Sequence, residues 1–208
     1  MDRTPHPTRG SSATATDRLL VVRHGQSLWN LQGRWQGSAD PPLTDTGRAQ
    51  ALAAARQLGD VEHVWASDLE RAAETGQIIA TALGLDQPQL HPGLREGGLG
   101  PWQGLTMEEI DAGWPGYRQD NRRPAGAEDP DLVEQRVLSA LRQIAASTPG
   151  RVLVISHAGC LYALRRSIGL GFIRYGNLCG FNASVDGQSM IRVGTSVALI
   201  DAAAPEGL

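Results

Sequence analysis

The sequence predicts an α/β fold of three layers, α/β/α, around a central, mostly parallel sheet. Three observations carry this. Leu19-Leu20-Val21-Val22 and Val152-Leu153-Val154-Ile155 are unbroken apolar runs, the pattern of strands covered on both faces. Stretches of helical period lie between the strand-like runs, and that alternation puts helices on both sides of one sheet. Each run also stops abruptly at a histidine, in Arg23-His24-Gly25 and in Ser156-His157-Ala158-Gly159. Ligands of open α/β sheets bind beyond the carboxyl ends of the strands, so His24 and His157 are predicted to face one pocket.

The elements follow in order. After the strand at 19–22 comes a loop rich in glycine and tryptophan, 25–43. Thr44 opens a helix whose apolar stripe includes Leu52, Ala55 and Leu58, ended by Gly59. A strand near 61–66 meets Ser67-Asp68-Leu69-Glu70, where Ser67 and Glu70 have capping-box spacing. The helix it starts should run to Leu83, with Gly84 as its C-terminal cap. A short strand near 89–91 leads to Leu94-Arg95-Glu96, and Thr106 and Glu109 repeat the capping-box spacing. Asp129-Pro130 is an N-cap with proline at the first helical position. The helix after it places Val133, Val137, Leu141 and Ile144 on one face and ends by Pro149-Gly150. The strand at 152–155 feeds a helix over about 160–168, and strands near 188–193 and 196–201 close the chain.

Length and composition bound the rest. The 208 residues, 41% of them hydrophobic, suit a single domain, read here as 18–204. Residues 1–17, with Thr4-Pro5-His6-Pro7 and a Ser/Thr/Ala run, read as a disordered tail. That tail lacks the apolar core of a signal peptide, and no stretch approaches the ~18 apolar residues of a membrane span; the expectation is a soluble, cytoplasmic protein that binds no membrane. Cys160 and Cys179 have neither CxxC nor metal spacing. All 19 cations are arginine, which excludes a Schiff-base or P-loop lysine. A net charge of −3 argues against nucleic acid as a partner, which calls for a basic face.

Three strand ends converge on the predicted pocket. One brings Arg23 and His24, the second leads into a helix with Arg71 in its first turn, and the last brings Ser156 and His157. Two arginines and two histidines form a cradle for a dianion such as a phosphoryl group, because the guanidinium fork matches phosphate oxygens. Phosphate monoester hydrolysis demands accelerations up to ~10²¹-fold, whereas a general acid supplies ~10²–10⁴-fold. Nucleophile, charge neutralisation and acid must therefore act together, and a histidine nitrogen can be the nucleophile.

The chain resembles the histidine phosphatase superfamily, also called phosphoglycerate mutase-like. Arg23-His24-Gly25-Gln26-Ser27-Leu28-Trp29-Asn30 resembles its signature, followed by Arg34, Gln36 and Gly37. Leu43-Thr44-Asp45-Thr46-Gly47-Arg48-Ala49-Gln50-Ala51, Ser67-Asp68-Leu69-Glu70-Arg71-Ala72-Ala73-Glu74-Thr75, Leu94-Arg95-Glu96 and Ser156-His157-Ala158-Gly159 match four further motifs in order. The resemblance implies that His24 becomes phosphohistidine and that Arg23, Arg71 and His157 hold the phosphoryl oxygens. Asn30 and Gln36 would add neutral donors, with Arg34, Gly37 and Ala158 completing the substrate-binding set. Glu96 would protonate the leaving alcohol and then activate water, a role that asks for burial beside apolar neighbours such as Leu99 or Trp102. No metal and no cofactor are implied.

Arg122 and Arg123 precede Pro124-Ala125-Gly126-Ala127-Glu128, with Arg136 eight residues after that glutamate. This is similar to the "GGES…R" segment of the phosphatase branch, with departures at Ala127 and Asp129. The stretch from Glu96 to His157 is short beside the basic insertion of family mutases, and Leu99-Gly100-Pro101-Trp102-Gln103-Gly104-Leu105-Thr106 resembles the phosphatase branch, most of all glucosyl-3-phosphoglycerate phosphatases and broad-specificity relatives. The implied activity is metal-independent hydrolysis of a small-molecule phosphate ester, a sugar or glycerate phosphate. A cofactor-dependent phosphoglycerate mutase and a catalytically inactive phospho-ligand-binding module are the competing readings, and a homodimer is the assembly to consider. Trp29, Trp35, Trp102 and Trp114 read as core or rim packing, Cys160 as a buried inert thiol, and His63 and His91 as lying outside the chemistry.

Because cations already line the predicted pocket and no ligand set such as HExxH occurs, activity should survive exhaustive chelation with EDTA. Loss of turnover in EDTA and its return with Zn²⁺ or Mg²⁺ would show that the arginines and histidines do not supply the positive charge.

Overall fold

The computed structural model describes residues 18–186 and 190–200, so the 1–17 tail and the end of the 18–204 domain lie outside the described residues. Six strands form one sheet in the order β3-β2-β4-β1-β5-β6. They are β1 (Leu19–Arg23), β2 (His63–Ala66), β3 (Gln89–Leu90), β4 (Val152–Ser156), β5 (Cys179–Val185) and β6 (Ile191–Ala198). β3, β2, β4 and β1 pair in parallel, β5 runs antiparallel to both its neighbours, and the sheet is mixed.

The helices are α1 (Leu28–Leu31), α2 (Asp45–Ala55), α3 (Glu70–Leu83), α4 (Met107–Gly113), α5 (Pro130–Ser147) and α6 (Ala158–Ser167). Alternation within the central strands decides the layers. Leu19, Val21, Val152 and Val154 face a core with Val137, Leu141 and Ile144 of α5 and Leu161 and Leu164 of α6. Leu20, Val22, Leu153 and Ile155 face the opposite core, against Ala51 and Ala54 of α2 and Ala72 and Ile79 of α3. Both faces of β1 and β4 are thus sealed, and all ten of their residues are buried. The sequence shows this as apolar runs without alternation. No helix among the described residues is long and apolar enough to cross a membrane.

Several sequence expectations change. The last two strands are β5 and β6 rather than strands near 188–193 and 196–201, the first of which partly lies outside the described residues. Gly180, Asn182 and Ser184 broke the apolar signal of β5, yet all three are buried. Leu52 is 48% exposed rather than on the buried stripe, whereas Ala55 and Leu58 are buried as expected, together with Ala51 and Ala54. Ser67 and Glu70 make no capping box. Leu69 is the N-cap of α3 without a side-chain bond, and the Glu70 N–H donates to Asp40 Oδ2 at 2.7 Å. A carboxylate thirty residues upstream has taken the local cap's place. The Thr44 cap, the Thr106/Glu109 capping box, the Asp129 cap and the left-handed Gly84 cap form as the spacing predicts.

Candidate active site

β1 and β4 are adjacent and in register, with Arg23 opposite Ser156. The next residue on each strand is a histidine, so His24 and His157 leave the sheet side by side. Their ring centroids are 5.1 Å apart, and both residues are buried. The exit of β1 is further fixed by His24 N–H donating to Ser156 O at 3.0 Å and Leu178 N–H donating to Arg23 O at 3.0 Å. Gly25 N–H donates to Thr75 Oγ1 at 3.0 Å.

The proton on His24 has a definite place. Nδ1 lies 2.6 Å from the carbonyl oxygen of Gly25, which can only accept, so Nδ1 carries the hydrogen and Nε2 presents its lone pair. Arg71 Nε–H donates to that lone pair at 3.2 Å. Arg71 itself is fully buried at the start of α3. Its other nitrogens donate to Ala39 O at 2.6 Å and Gly37 O at 2.9 Å, with Asp40 Oδ1 at 3.4 Å. Burial pushes its pKa down to about 10, which still leaves it charged at neutral pH. Arg23 Nη1 donates to Tyr175 O at 2.9 Å.

Both histidines are held well below the usual imidazole pKa, first by burial and then by the nearby guanidinium groups of Arg71 and Arg23. They are neutral at pH 7. Neither ring nitrogen of His157 has a hydrogen-bond partner among the described residues, although both are buried. Polar atoms rarely stay unpaired inside a protein, and these lie beside His24, Arg71 and Arg23. Such a site is built to receive an anion rich in oxygen acceptors.

Glu96 reaches the same edge from the loop after β3. Its Oε1 accepts from Gly97 N–H at 2.9 Å and its Oε2 from Gly159 N–H, in the first turn of α6, at 3.0 Å. It is half-buried, and its recorded partners are backbone N–H groups rather than the apolar side chains of Leu99 or Trp102. A Cβ at Gly159 would push the Glu96 carboxylate out of this position.

The remaining predicted residues divide. Asn30 closes a capping box with Ser27 at the start of α1, its Oδ1 accepting from Ser27 N–H at 3.2 Å, and Gln36 Oε1 accepts from Ser27 Oγ at 2.9 Å; both are buried, and each keeps its amide nitrogen as a donor. Gly37 supplies a carbonyl to Arg71, and Ala158 opens α6. Arg34 is tied to Gly104 O at 2.5 Å and Glu109 Oε2 at 3.1 Å, a brace to α4 rather than a contact to the histidines. Cys160 is buried, its thiol pushed up to about 12 by burial, with Sγ 3.0 Å from Arg95 O. His91 caps the turn before Leu94 through Nδ1, which accepts from Gly93 N–H at 3.0 Å. Trp35, Trp102 and Trp114 pack edge to face in series. No group of three or more His, Cys, Asp or Glu among the described residues is placed to hold a metal ion.

Sequence reading missed Asn177. It is buried, and its Nδ2 donates to His24 O at 2.7 Å and to Asn30 Oδ1 at 3.3 Å. It sits in Gly176-Asn177, a pair that reads only as a turn, so no local signal marks it.

A model of the histidine phosphatase superfamily (branch 1) matches residues 19–191. The chain is 37% identical over 157 residues to phosphoglycerate mutase-like protein 4 of Arabidopsis thaliana, covering 70% of this chain and 68% of that one. It is 36% identical over 167 residues to a glucosyl-3-phosphoglycerate phosphatase of Mycobacterium tuberculosis, covering 73% and 74%. A solved mycobacterial glucosyl-3-phosphoglycerate phosphatase in complex with VO3 superimposes with a TM-score of 0.78 at 31% identity, over 88% of this chain and 99% of the other.

The neutral histidines give the fold a pH dependence. Unfolded imidazoles take up protons as pH falls through about 6.5, whereas His24 and His157, held lower in the native state, do not. The unfolded state therefore gains below pH 6.5, and stability should fall by up to about 1.4 kcal/mol per pH unit for each histidine. Urea unfolding at pH 7.5 and 5.5 should show this loss in the ligand-free protein and less of it in His24→Asn/His157→Asn. An identical pH dependence in the two proteins would contradict the neutral state.

Proposed function

The chain belongs to the histidine phosphatase superfamily and is a phosphatase of that group, and we propose that its chemistry runs through His24 Nε2 with a small phosphorylated metabolite as substrate. The observation that carries this is the neutral, buried His24–His157 pair beside two guanidinium groups, with both nitrogens of His157 unpartnered among the described residues.

In the proposed reaction the Nε2 lone pair attacks phosphorus. The Nδ1–H···O bond to Gly25 keeps that lone pair on the pocket side and stabilises the ring as it becomes positive. The N–P bond forms as the P–O bond to the alcohol breaks, and Glu96 gives its proton to the departing oxygen. Arg71 Nε–H, which donates to Nε2 in the ligand-free site, turns its hydrogen bond to a phosphoryl oxygen and keeps its proton. Arg23, His157 and the amide nitrogens of Asn30 and Gln36 bind the other oxygens. Donors fixed before substrate arrives need no reorganisation as charge develops. In the second half Glu96 takes a proton from water, the water oxygen bonds to phosphorus, and the N–P bond returns its electron pair to Nε2.

Water, rather than a second substrate hydroxyl, is the proposed acceptor, because the segment between Glu96 and His157 is short, with a 3-10 turn, α4 and α5 leading directly to β4. A sugar or glycerate phosphate of the kind named for the mycobacterial relative is the proposed substrate class. A binding module without turnover is separated from an enzyme by release of inorganic phosphate from p-nitrophenyl phosphate.

His24→Ala should abolish turnover with folding retained, and acid-labile, alkali-stable phosphate should be trapped on His24 in the unsubstituted protein. Substantial activity in a folded His24→Ala protein would overturn the mechanism.

Glu96→Gln should lower kcat for alkyl phosphates by about 10²-fold or more, the scale of a lost general acid. Nitrophenolate leaves without much help, so p-nitrophenyl phosphate should lose visibly less. Equal losses on both substrates would remove Glu96 from the acid's position.

A further inference from the structure

Glu96 does not hold itself in place. The loop that carries it, 93–98, is gripped by one ion pair that bonds the loop backbone and none of the side chains assigned to the reaction. Arg136, on α5, commits five donor contacts. Nε and Nη2 meet Glu128 Oε1 and Oε2 at 2.8 and 3.0 Å. Nη1 donates to the carbonyls of Gly93 at 3.1 Å and Arg95 at 2.6 Å, and Nη2 to the carbonyl of Glu96 itself at 3.1 Å. A guanidinium has five N–H groups, and every one is used.

Glu128 completes the grip. Its Oε2 also accepts from Gly98 N–H at 3.0 Å, and its own N–H donates to Gly98 O at 2.8 Å. Leu99 bridges Ala127 just beyond. Carbonyls before and at Glu96, and the amide two residues after it, are thus tied to a single bidentate pair. Arg136 and Glu128 have side chains 24% and 28% exposed, and the pair is bidentate and largely shielded from water. Its contacts fall on one functional loop, which is the pattern of a device that fixes geometry.

We propose that Glu128 and Arg136 are positioning residues for the proton donor, setting the Glu96 carboxyl against the first turn of α6. The proposal rests on the reading of Glu96 as the acid. Proton transfer needs heavy atoms within roughly 3 Å, and a misplacement of about 1 Å can cost 10²-fold. The cost falls on the leaving-group proton, while the nucleophile just beyond β1 is held by a separate set of bonds. Lysine cannot substitute for the arginine, because a point charge with three donors cannot serve a five-bond fork.

The test measures kcat for glycerol 3-phosphate and for p-nitrophenyl phosphate in the unsubstituted protein, Glu96→Gln, Arg136→Lys, Glu128→Gln and Glu96→Gln/Arg136→Lys. The alkyl-to-aryl ratio should fall about 10-fold or more in Arg136→Lys and in the same direction in Glu128→Gln. In the double variant it should fall no further than in Glu96→Gln, because residues acting through one group are not additive. Equal losses on the two substrates in Arg136→Lys and Glu128→Gln, with the ratio shifted in Glu96→Gln, would overturn the positioning role alone. A ratio unmoved in Glu96→Gln would overturn the acid assignment and the proposal with it. Should Arg136→Lys fail to fold, the near-isosteric Glu128→Gln decides by the same ratio.

Discussion

Arg23 lies opposite Ser156 in the parallel ladder of β1 and β4, and the rest of the site depends on that register. One residue further, both strands deliver a histidine at the same level, into the space above the sheet edge. A slip of one residue would send every core side chain of a strand to the wrong face, so the two sealed cores that stabilise the fold also fix the spacing of the histidines. Catalytic geometry and hydrophobic packing are here one constraint.

The register collects positive charge in a buried place, which is unfavourable unless something compensates it. Backbone carbonyls meet part of the cost: Gly37 and Ala39 face Arg71, and Tyr175 faces Arg23. The histidines respond by staying neutral, since imidazolium beside two guanidinium groups would add repulsion. What remains unmet is a preference for a dianion with several acceptor oxygens. In the proposed reaction an arriving phosphoryl group relieves the repulsion among these cations, so the cost of the ligand-free site favours its binding.

Segments far apart in sequence hold this arrangement together. The 25–40 loop closes over Arg71, the 93–98 loop carries Glu96, and the 175–178 turn reaches Arg23, His24 and Asn30. Loops approach the starts of α2 and α6 so closely that a side chain at either of two glycines would displace them. A Cβ on Gly47 would strike the carbonyl of Gln26, and one on Gly159 the carboxylate of Glu96. Asp40 does two tasks there, capping α3 and facing the arginine that opens it.

The sequence by itself determined the fold class, the central strands, most helix caps and the convergence of Arg23, His24, Arg71 and His157. Those features are written locally, as apolar runs, capping residues and short motifs at strand ends, and local patterns survive without knowledge of what packs against them. Tertiary structure decided the rest. β5 is hidden in the sequence because its buried polar residues erase the apolar alternation, and helical period alone puts Leu52 inside because it cannot tell which stripe a neighbour will cover. The cap of α3 comes from Asp40, and Asn177 holds His24 from the far side of the chain. Arg34 and Arg136 both stand in motif-like segments of the sequence, yet one braces α4 and the other binds the loop of Glu96. Partners that meet only when the chain is closed leave no periodicity or spacing to read, because their proximity is produced by the packing of the whole sheet.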